Sequence, residues 1–141
     1  MLHTLLLLIA GHALCDYPLQ GDFLAKAKNH KLGRCSCGKE VKHVKADFWA
    51  VGPEVCLGGH WHKPANSWGW KKALFAHSSI HAGMVLLVTG SLVLAFSELV
   101  IHAITDWLKC DERIGSNTDQ AIHYACKILW VLILLAFPHL P

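Results

Sequence analysis

The chain has 141 residues and a mass of 15.6 kDa, which corresponds to a single domain. Apolar residues make up 53% and charged residues 16%, so the composition excludes intrinsic disorder, and the mean hydropathy of +0.35 is high for a soluble globular protein. The formal charge of +3 averages a polar middle and apolar ends, and it does not indicate nucleic-acid binding. The 11 histidines and 6 cysteines point instead to metal binding or to a disulfide framework.

The first predicted element is a helix over residues 1–17, whose apolar run begins at Leu5. We expect Pro18 to end this helix, because proline has no backbone N–H and disfavours helical geometry at the residue before it. A cleaved signal peptide is the alternative interpretation, but such peptides carry Lys or Arg before the apolar run and this chain has none there. The sequence therefore favours a helix that is retained.

Apolar sequence resumes over residues 73–108, a stretch of 36 residues. One membrane span needs about 20 residues, so this stretch is long enough for two short spans joined by a turn. Gly90-Ser91 and Ala95-Phe96-Ser97 are both suitable turn or capping sites, and the sequence does not decide between them.

The last predicted helix begins at a capping box, Ser116-Asn117-Thr118-Asp119, and its apolar run over residues 128–137 ends at Pro138. Helices that are apolar on all sides lie in a large core or in lipid, and a chain of 141 residues cannot enclose four of them. The predicted fold is all-α, a four-helix transmembrane bundle that forms one integral-membrane domain over residues 1–141. A polar loop insertion over residues 30–70, which contains cysteines and histidines, separates the first two helices.

Basic residues are concentrated in two connections of this bundle, because 12 of the 13 Lys and Arg lie in residues 18–72 or 109–118. Basic loops stay on the cytoplasmic side, so both connections are predicted to face the cytoplasm and both termini to face outward. We therefore expect a multi-pass protein of a bacterial inner membrane, in contact with membrane lipid. Since the spans are short, a homo-oligomer is one expected way of matching the bilayer, and no nucleic-acid partner is expected.

Four pairs of residues with metal-binding side chains recur at i, i+4 spacing, one pair in each predicted helix. The pairs are His12 and Asp16, His77 and His81, His102 and Asp106, and Asp119 and His123. This spacing places both members of a pair on one helix face, one turn apart. In an up-down-up-down bundle the pairs meet at one end in two tiers, of which the tier nearer water comprises Asp16, His77, Asp106 and Asp119.

Eight ionisable side chains at one depth in a membrane are costly unless a cation compensates them, which predicts bound metal. A single ion of this kind takes about four to six ligands, which is fewer than the eight available here. We therefore expect two or more divalent transition-metal ions, most simply zinc, with bridging carboxylates. Hydrogen-bonded core histidines, a proton relay and, for Asp119, helix capping are the alternatives.

The loop insertion contains further residues of metal-ligand type, namely Cys35, Cys37, Cys56, His60 and His62. A hairpin around Gly52-Pro53 would bring them together as a separate zinc site. The Cys-x-Cys spacing differs from that of ordinary zinc knuckles, so reduced, uninvolved thiols are the alternative in a cytosolic loop. Disulfides become the better account if the topology is inverted.

Four motifs occur in sequence order: GHALCDYPLQ at residues 11–20, His77-x3-His81, IHAITDWLK at residues 101–109 and Asp119-Gln120-x2-His123. Together they resemble the family of small bacterial and phage membrane proteins known as domain of unknown function 3307, over residues 1–29 and 71–130. The resemblance implies four membrane helices and leaves the activity open, and residues 30–70 are longer than is usual in that family. A weaker likeness in ligand spacing connects the chain with membrane metal-dependent hydrolases of the YdjM type.

The favoured function is a metal-dependent membrane hydrolase that acts on a phosphoester of a lipid or another membrane-associated substrate. The metals would lower the pKa of a bound water to about 7 and polarise the phosphoryl group, while Asp106 or Asp16 accepts the proton. Gln20, Lys26 and Lys127 are the expected substrate contacts, together with Lys28. The residues after the first helix are alternatively solvated loop charges, and Lys127 is alternatively a lysine that extends toward water. A metal or proton transporter and a non-catalytic membrane protein with a structural metal centre are the competing functions.

Overall fold

The computed structural model describes residues 1–29, 41–42, 54–56, 61–62 and 69–140, with the backbone alone for residues 22, 23 and 26 and for the short strands. Its helices are α1 (Leu2–Leu14), a short α2 (Gly21–Ala27), α3 (Gly69–Thr89), α4 (Leu92–Cys110) and α5 (Ser116–Ala136). The four long helices correspond to the four predicted ones, which confirms the all-α architecture of the bundle.

Pro18 does not end the first helix, and this corrects the prediction. The chain continues from α1 into a π-helical turn, Cys15–Leu19, that contains Pro18. In an α-helix the proline ring clashes with the carbonyl group four residues earlier, and the wider π-helical turn relieves that contact. Gly21, with a φ of 56°, then leads the chain into α2, which contacts α3. The apolar first segment is therefore helical from Leu2 to Leu19.

The turn between α3 and α4 lies at Gly90-Ser91, which decides between the two predicted positions. Gly90 has a φ of 71°, a conformation that suits glycine because it has no side chain. The Ser91 hydroxyl then caps α4 by accepting a hydrogen bond of 3.3 Å from the Leu94 backbone N–H. Residues 95–97 instead lie within α4.

The predicted capping box at the start of α5 does not form. The N-cap residue is Gly115, and no side chain caps the helix there. Asp119 is fully buried, and its carboxylate accepts a hydrogen bond from Lys109 at 2.7 Å instead of reaching back to the helix start. Asp119 therefore lies in the interior of the bundle, although its position in the sequence is typical of a capping box. The other end agrees with the prediction, since α5 ends at Ala136, before Pro138.

The insertion contributes a small antiparallel sheet of three short strands, in the order β1 (Val41–Lys42), β2 (Glu54–Cys56) and β3 (Trp61–His62). Val41 pairs with Cys56, and Val55 pairs with Trp61. From the sequence, only a hairpin around Gly52-Pro53 was expected in this region. The expected turn residues Gly52 and Pro53 lie outside the described residues.

The four long helices form a closed ring, in which α1 contacts α3, α3 contacts α4, α4 contacts α5, and α5 contacts α1. The short connections after α3 and α4 make these neighbours antiparallel. Gly11 allows α1 to approach α3 closely, because a Cβ atom at this position would lie 2.6 Å from Met84 Cγ. An apolar core fills one part of the bundle and consists of Leu8, Val85, Leu94, Cys126, Trp130 and Val131.

Among the described residues of the helices, several large apolar side chains are exposed and several charged side chains are buried. Leu87 is 83% exposed and Phe96 is 67% exposed, whereas Glu98 and Lys127 are each 1% exposed. Two segments, Leu2–Leu19 and Ser116–Ala136, are long and apolar enough to cross a membrane. Large exposed apolar side chains and fully buried charges in the same bundle are unusual for a protein whose helices face water.

Candidate metal centre

A buried polar cluster lies where the carboxyl ends of α1 and α4 meet the amino ends of α3 and α5. The structure brings all eight predicted residues of the four helix pairs into this cluster. Seven of them are buried, and the Asp16 side chain is 12% exposed. The i, i+4 spacing explains this convergence, because each helix directs two side chains one turn apart toward the bundle interior.

Four residues form what we call the primary group: Asp16, His77, His81 and His102, which offer ligand atoms that all lie within 4.8 Å of one another. Asp16 Oδ1 lies 3.1 Å from His81 Nε2 and 3.5 Å from His77 Nε2. His77 Nε2 lies 3.1 Å from His102 Nε2. Ligand atoms at the corners of a tetrahedral zinc site, each about 2.0–2.1 Å from the ion, are separated by about 3.3–3.4 Å. The donor set and its separations therefore fit a tetrahedral transition-metal ion.

Several buried atoms of the cluster lack a hydrogen-bond partner within the described part of the chain. These atoms are His77 Nδ1, His81 Nε2, His102 Nδ1, Asp119 Oδ1 and His123 Nε2. Three of these nitrogens, in His81, His102 and His123, have a carboxylate oxygen within 3.4 Å but make no hydrogen bond to it. Buried polar groups in native proteins are nearly always hydrogen-bonded, so these atoms need an explanation. A bound cation would provide a partner for each of these atoms that has a free lone pair. One of them, His81 Nε2, belongs to the primary group.

A second group consists of Asp106, Asp119 and His123. Its two carboxylates already have cationic partners, since Lys28 Nζ lies 2.6 Å from Asp106 Oδ2 and Lys109 Nζ lies 2.7 Å from Asp119 Oδ2. Lysines thus compensate part of the charge that the sequence analysis assigned to metal alone. A metal ion in the second group would compete with these two ammonium groups for the carboxylate oxygens.

Asp16 has a different environment from the other buried carboxylates. In the described structure its close partners are the imidazoles of His12, His77 and His81 and the amide of Gln120, which donates to Asp16 Oδ2 at 2.8 Å. None of these groups carries a fixed positive charge. The primary group is therefore the place in the cluster where a metal ion fits without displacing a lysine.

Glu98 is a buried cluster residue that the sequence analysis missed. It lies one helical turn before His102, with Oε1 3.4 Å from His102 Nδ1, and it joins His102 and His123 in a third set of potential ligands. Lys127 Nζ donates to Glu98 Oε1 at 2.5 Å, and Trp130 Nε1 donates to Glu98 Oε2 at 2.8 Å. The sequence does indicate this position, because Glu98, His102 and Asp106 follow one another at i, i+4 spacing along one helix face.

The predicted substrate contacts have different environments. Lys127 is buried and paired with Glu98, so it does not extend toward water. Gln20 follows the π-helical turn and accepts a hydrogen bond of 3.3 Å from Lys28, which is itself buried against Asp106. Lys26 lies on α2, and its side chain is outside the described structure.

The separate zinc site predicted in the insertion remains a prediction. Cys35, Cys37 and His60 lie outside the described residues. Cys56 lies on β2 and His62 on β3, and only their backbone is described.

The chain matches no protein-family model, no curated protein and no solved structure at a significant level. The resemblance to the domain of unknown function 3307 family therefore depends on the four motifs alone.

Proposed function

We propose that the protein is an integral-membrane, metal-binding protein and that its metal centre hydrolyses a phosphoester of a lipid or another membrane-associated substrate. The primary group is the observation that carries this proposal. It combines one carboxylate and three imidazoles at metal-ligand separations, includes an unpaired buried nitrogen, and has no lysine bound to its carboxylate among the described residues.

In this proposal all four long helices cross the membrane. Helices α3, α4 and α5 have 21, 19 and 21 residues, lengths of about 28–32 Å that match a hydrocarbon core of about 30 Å. The exposed side chains of Leu87, Leu92 and Phe96 on α3 and α4 are suited to lipid and not to water. The cluster then lies at the end of the bundle that carries the basic connections, which is the cytoplasmic side in a bacterial inner membrane.

Reporter fusions test this topology. A fusion after residue 141 is expected to report the periplasm, and a fusion within the insertion near residue 45 is expected to report the cytoplasm. A phosphatase reporter and a fluorescent-protein reporter at each site provide opposite readouts and serve as mutual controls. The same compartment for both positions would exclude the proposed bundle topology.

Imidazole nitrogen with a carboxylate is a donor set typical of zinc and of related divalent transition metals. We assign the tighter site to the primary group. A second, weaker site in the second group would require Lys28 and Lys109 to release Asp106 and Asp119. This difference follows from competition between a metal ion and ammonium groups for the same oxygens.

A transition-metal ion in the primary group would supply an activated water and polarise a phosphoryl group. Asp106 is then the proton acceptor that the geometry favours, because it lies outside the primary group but its Oδ2 is 3.3 Å from His77 Nε2. Lys28 donates hydrogen bonds to both Gln20 and Asp106, and we assign its ammonium group to the contact with an anionic headgroup. Asp16, the partly exposed member of the primary group, marks the side from which substrate approaches.

Metal titration and a hydrolysis screen test the function together. Detergent-purified protein, stripped with a chelator, is expected to bind one equivalent of Zn²⁺ tightly and a second weakly, and to hydrolyse a phosphodiester or phospholipid only when loaded. Asp106→Asn is expected to retain the tight equivalent and to lose at least about 100-fold in hydrolysis, the scale of general-base catalysis. Asp111→Asn, whose carboxylate binds Arg113 outside the cluster, is the matched control.

Absence of bound metal in the wild-type protein would overturn the proposal. Tight metal binding without hydrolysis of any phosphoester would instead support a structural metal centre. A metal or proton transporter is disfavoured, because the apolar core, with Leu8, Leu94 and Trp130, fills the bundle beyond Glu98 and Lys127.

A further inference from the structure

His12 was predicted to be a ligand, yet it belongs to none of the three ligand groups in the described part of the chain. It is 1% exposed, and both of its ring nitrogens have close neighbours. Nδ1 lies 3.2 Å from His81 Nδ1, and Nε2 lies 3.4 Å from both Gln120 Oε1 and Asp16 Oδ2. These contacts determine which ring nitrogens carry protons.

The orientation of the Gln120 side-chain amide determines which ring nitrogen of His12 carries the proton. One end of it lies 2.8 Å from Asp16 Oδ2, and a carboxylate only accepts hydrogen bonds. The amide Nε2 therefore donates to Asp16, because the reverse orientation would place two acceptor oxygens at hydrogen-bond distance. Gln120 Oε1 consequently faces His12, whose Nε2 then has two acceptors as neighbours. His12 Nε2 must carry the proton.

The tautomer of His12 determines the tautomer of His81. Burial disfavours a doubly protonated His12 ring, so its Nδ1 is an acceptor. His81 Nδ1, 3.2 Å away, must then carry its own proton and donate it to His12 Nδ1. His81 Nε2 is left unprotonated and faces Asp16 Oδ1 at 3.1 Å. His81 Nε2 makes no hydrogen bond within the described residues, so its lone pair is free for a cation.

We propose that His12 is a positioning residue which, together with Gln120, holds His81 in the tautomer that presents Nε2 to a transition-metal ion in the primary group. This inference rests on the proposed metal centre. It makes His12 a hydrogen-bond partner of a metal ligand and not a ligand itself. Partners of this kind orient a metal-binding imidazole and strengthen its donor nitrogen, and their loss typically lowers metal affinity by about 10- to 100-fold.

The first test needs no metal. Nitrogen chemical shifts of ¹⁵N-labelled histidine in the chelator-treated wild-type protein are expected to show His81 protonated at Nδ1 and His12 protonated at Nε2. His12→Leu is expected to abolish the preference at His81, because leucine offers no acceptor. His12→Asn is expected to retain it, because the short amide side chain offers an oxygen to His81. A His81 ring protonated at Nε2 in the wild-type protein would overturn the inference.

The second test compares the same variants by titration with Co²⁺. His12→Leu is expected to bind the tight equivalent about 10- to 100-fold more weakly, with the visible spectrum of the bound ion unchanged, and His12→Asn to recover most of the affinity. A changed spectrum in His12→Leu would show that His12 is a ligand and would refute the positioning role. If wild-type protein binds no metal while the His81 tautomer depends on His12, the metal centre fails and the tautomer relay stands.

Discussion

Replacement of His102 by alanine is expected to abolish tight metal binding. His102 is fully buried, it is the one residue shared by the primary group and the set that contains Glu98, and its ring stacks on those of His81 at 3.7 Å and His123 at 4.1 Å. Loss of a direct ligand should lower the affinity by more than the about 10- to 100-fold typical of an outer-shell partner. Titration of chelator-treated protein with Zn²⁺ measures this loss directly.

His139→Ala is the matched control, because His139 is exposed near the end of the chain and far along the sequence from the four pairs. It is expected to retain the full metal content. Asp16→Asn provides a second variant with little change of shape, and it should also lose the tight equivalent, since an amide oxygen is a weaker ligand than a carboxylate. Retention of tight binding in both His102→Ala and Asp16→Asn would refute the primary group as a metal site.

Replacement of Lys127 by methionine is expected to destabilise the protein by about 3–5 kcal/mol, because it leaves a buried carboxylate without its cation. Glu98 and Lys127 are each 1% exposed, and their charged atoms are 2.5 Å apart. Trp130 continues to donate to Glu98 Oε2 in the variant, but one neutral donor does not replace an ammonium group. Unfolding in mixed detergent, followed by loss of helical circular dichroism, measures the change in the free energy of unfolding.

The double variant Glu98→Gln with Lys127→Met separates the burial of an unpaired charge from a general effect of the substitution. It is expected to recover most of the lost stability, because a neutral amide replaces the uncompensated carboxylate. Lys72→Met, at an exposed position near the start of α3, should change the free energy of unfolding by less than about 1 kcal/mol, because exposed charged side chains contribute little to stability. Equal destabilisation in the single and double variants would contradict the account of Glu98 and Lys127 as a buried ion pair.

Local sequence patterns were sufficient to predict the four long helices and the end of the bundle at which the four residue pairs meet. The reason is that apolar runs and i, i+4 spacing are properties of a single helix. Once the helices alternate in direction, a pair near the carboxyl end of one helix lies beside a pair near the amino end of the next. The two sequence features that led to wrong predictions were also local. Pro18 was predicted to end a helix that continues as a π-helical turn, and the capping box predicted over residues 116–119 does not form.

The division of the cluster into ligands and surrounding partners was decided by the tertiary structure. Sequence spacing shows that two side chains share a helix face. The rotation and depth of each helix in the bundle then determine which atoms of different helices come into contact. That geometry pairs Lys28 with Asp106 across 78 residues of sequence and Gln120 with Asp16 across 104. It also turns His12 toward His81 and Gln120 and brings Lys127 on α5 to Glu98 on α4. Helix periodicity specifies the positions of the eight predicted residues along the bundle, whereas contacts between helices distant in sequence decide their partners.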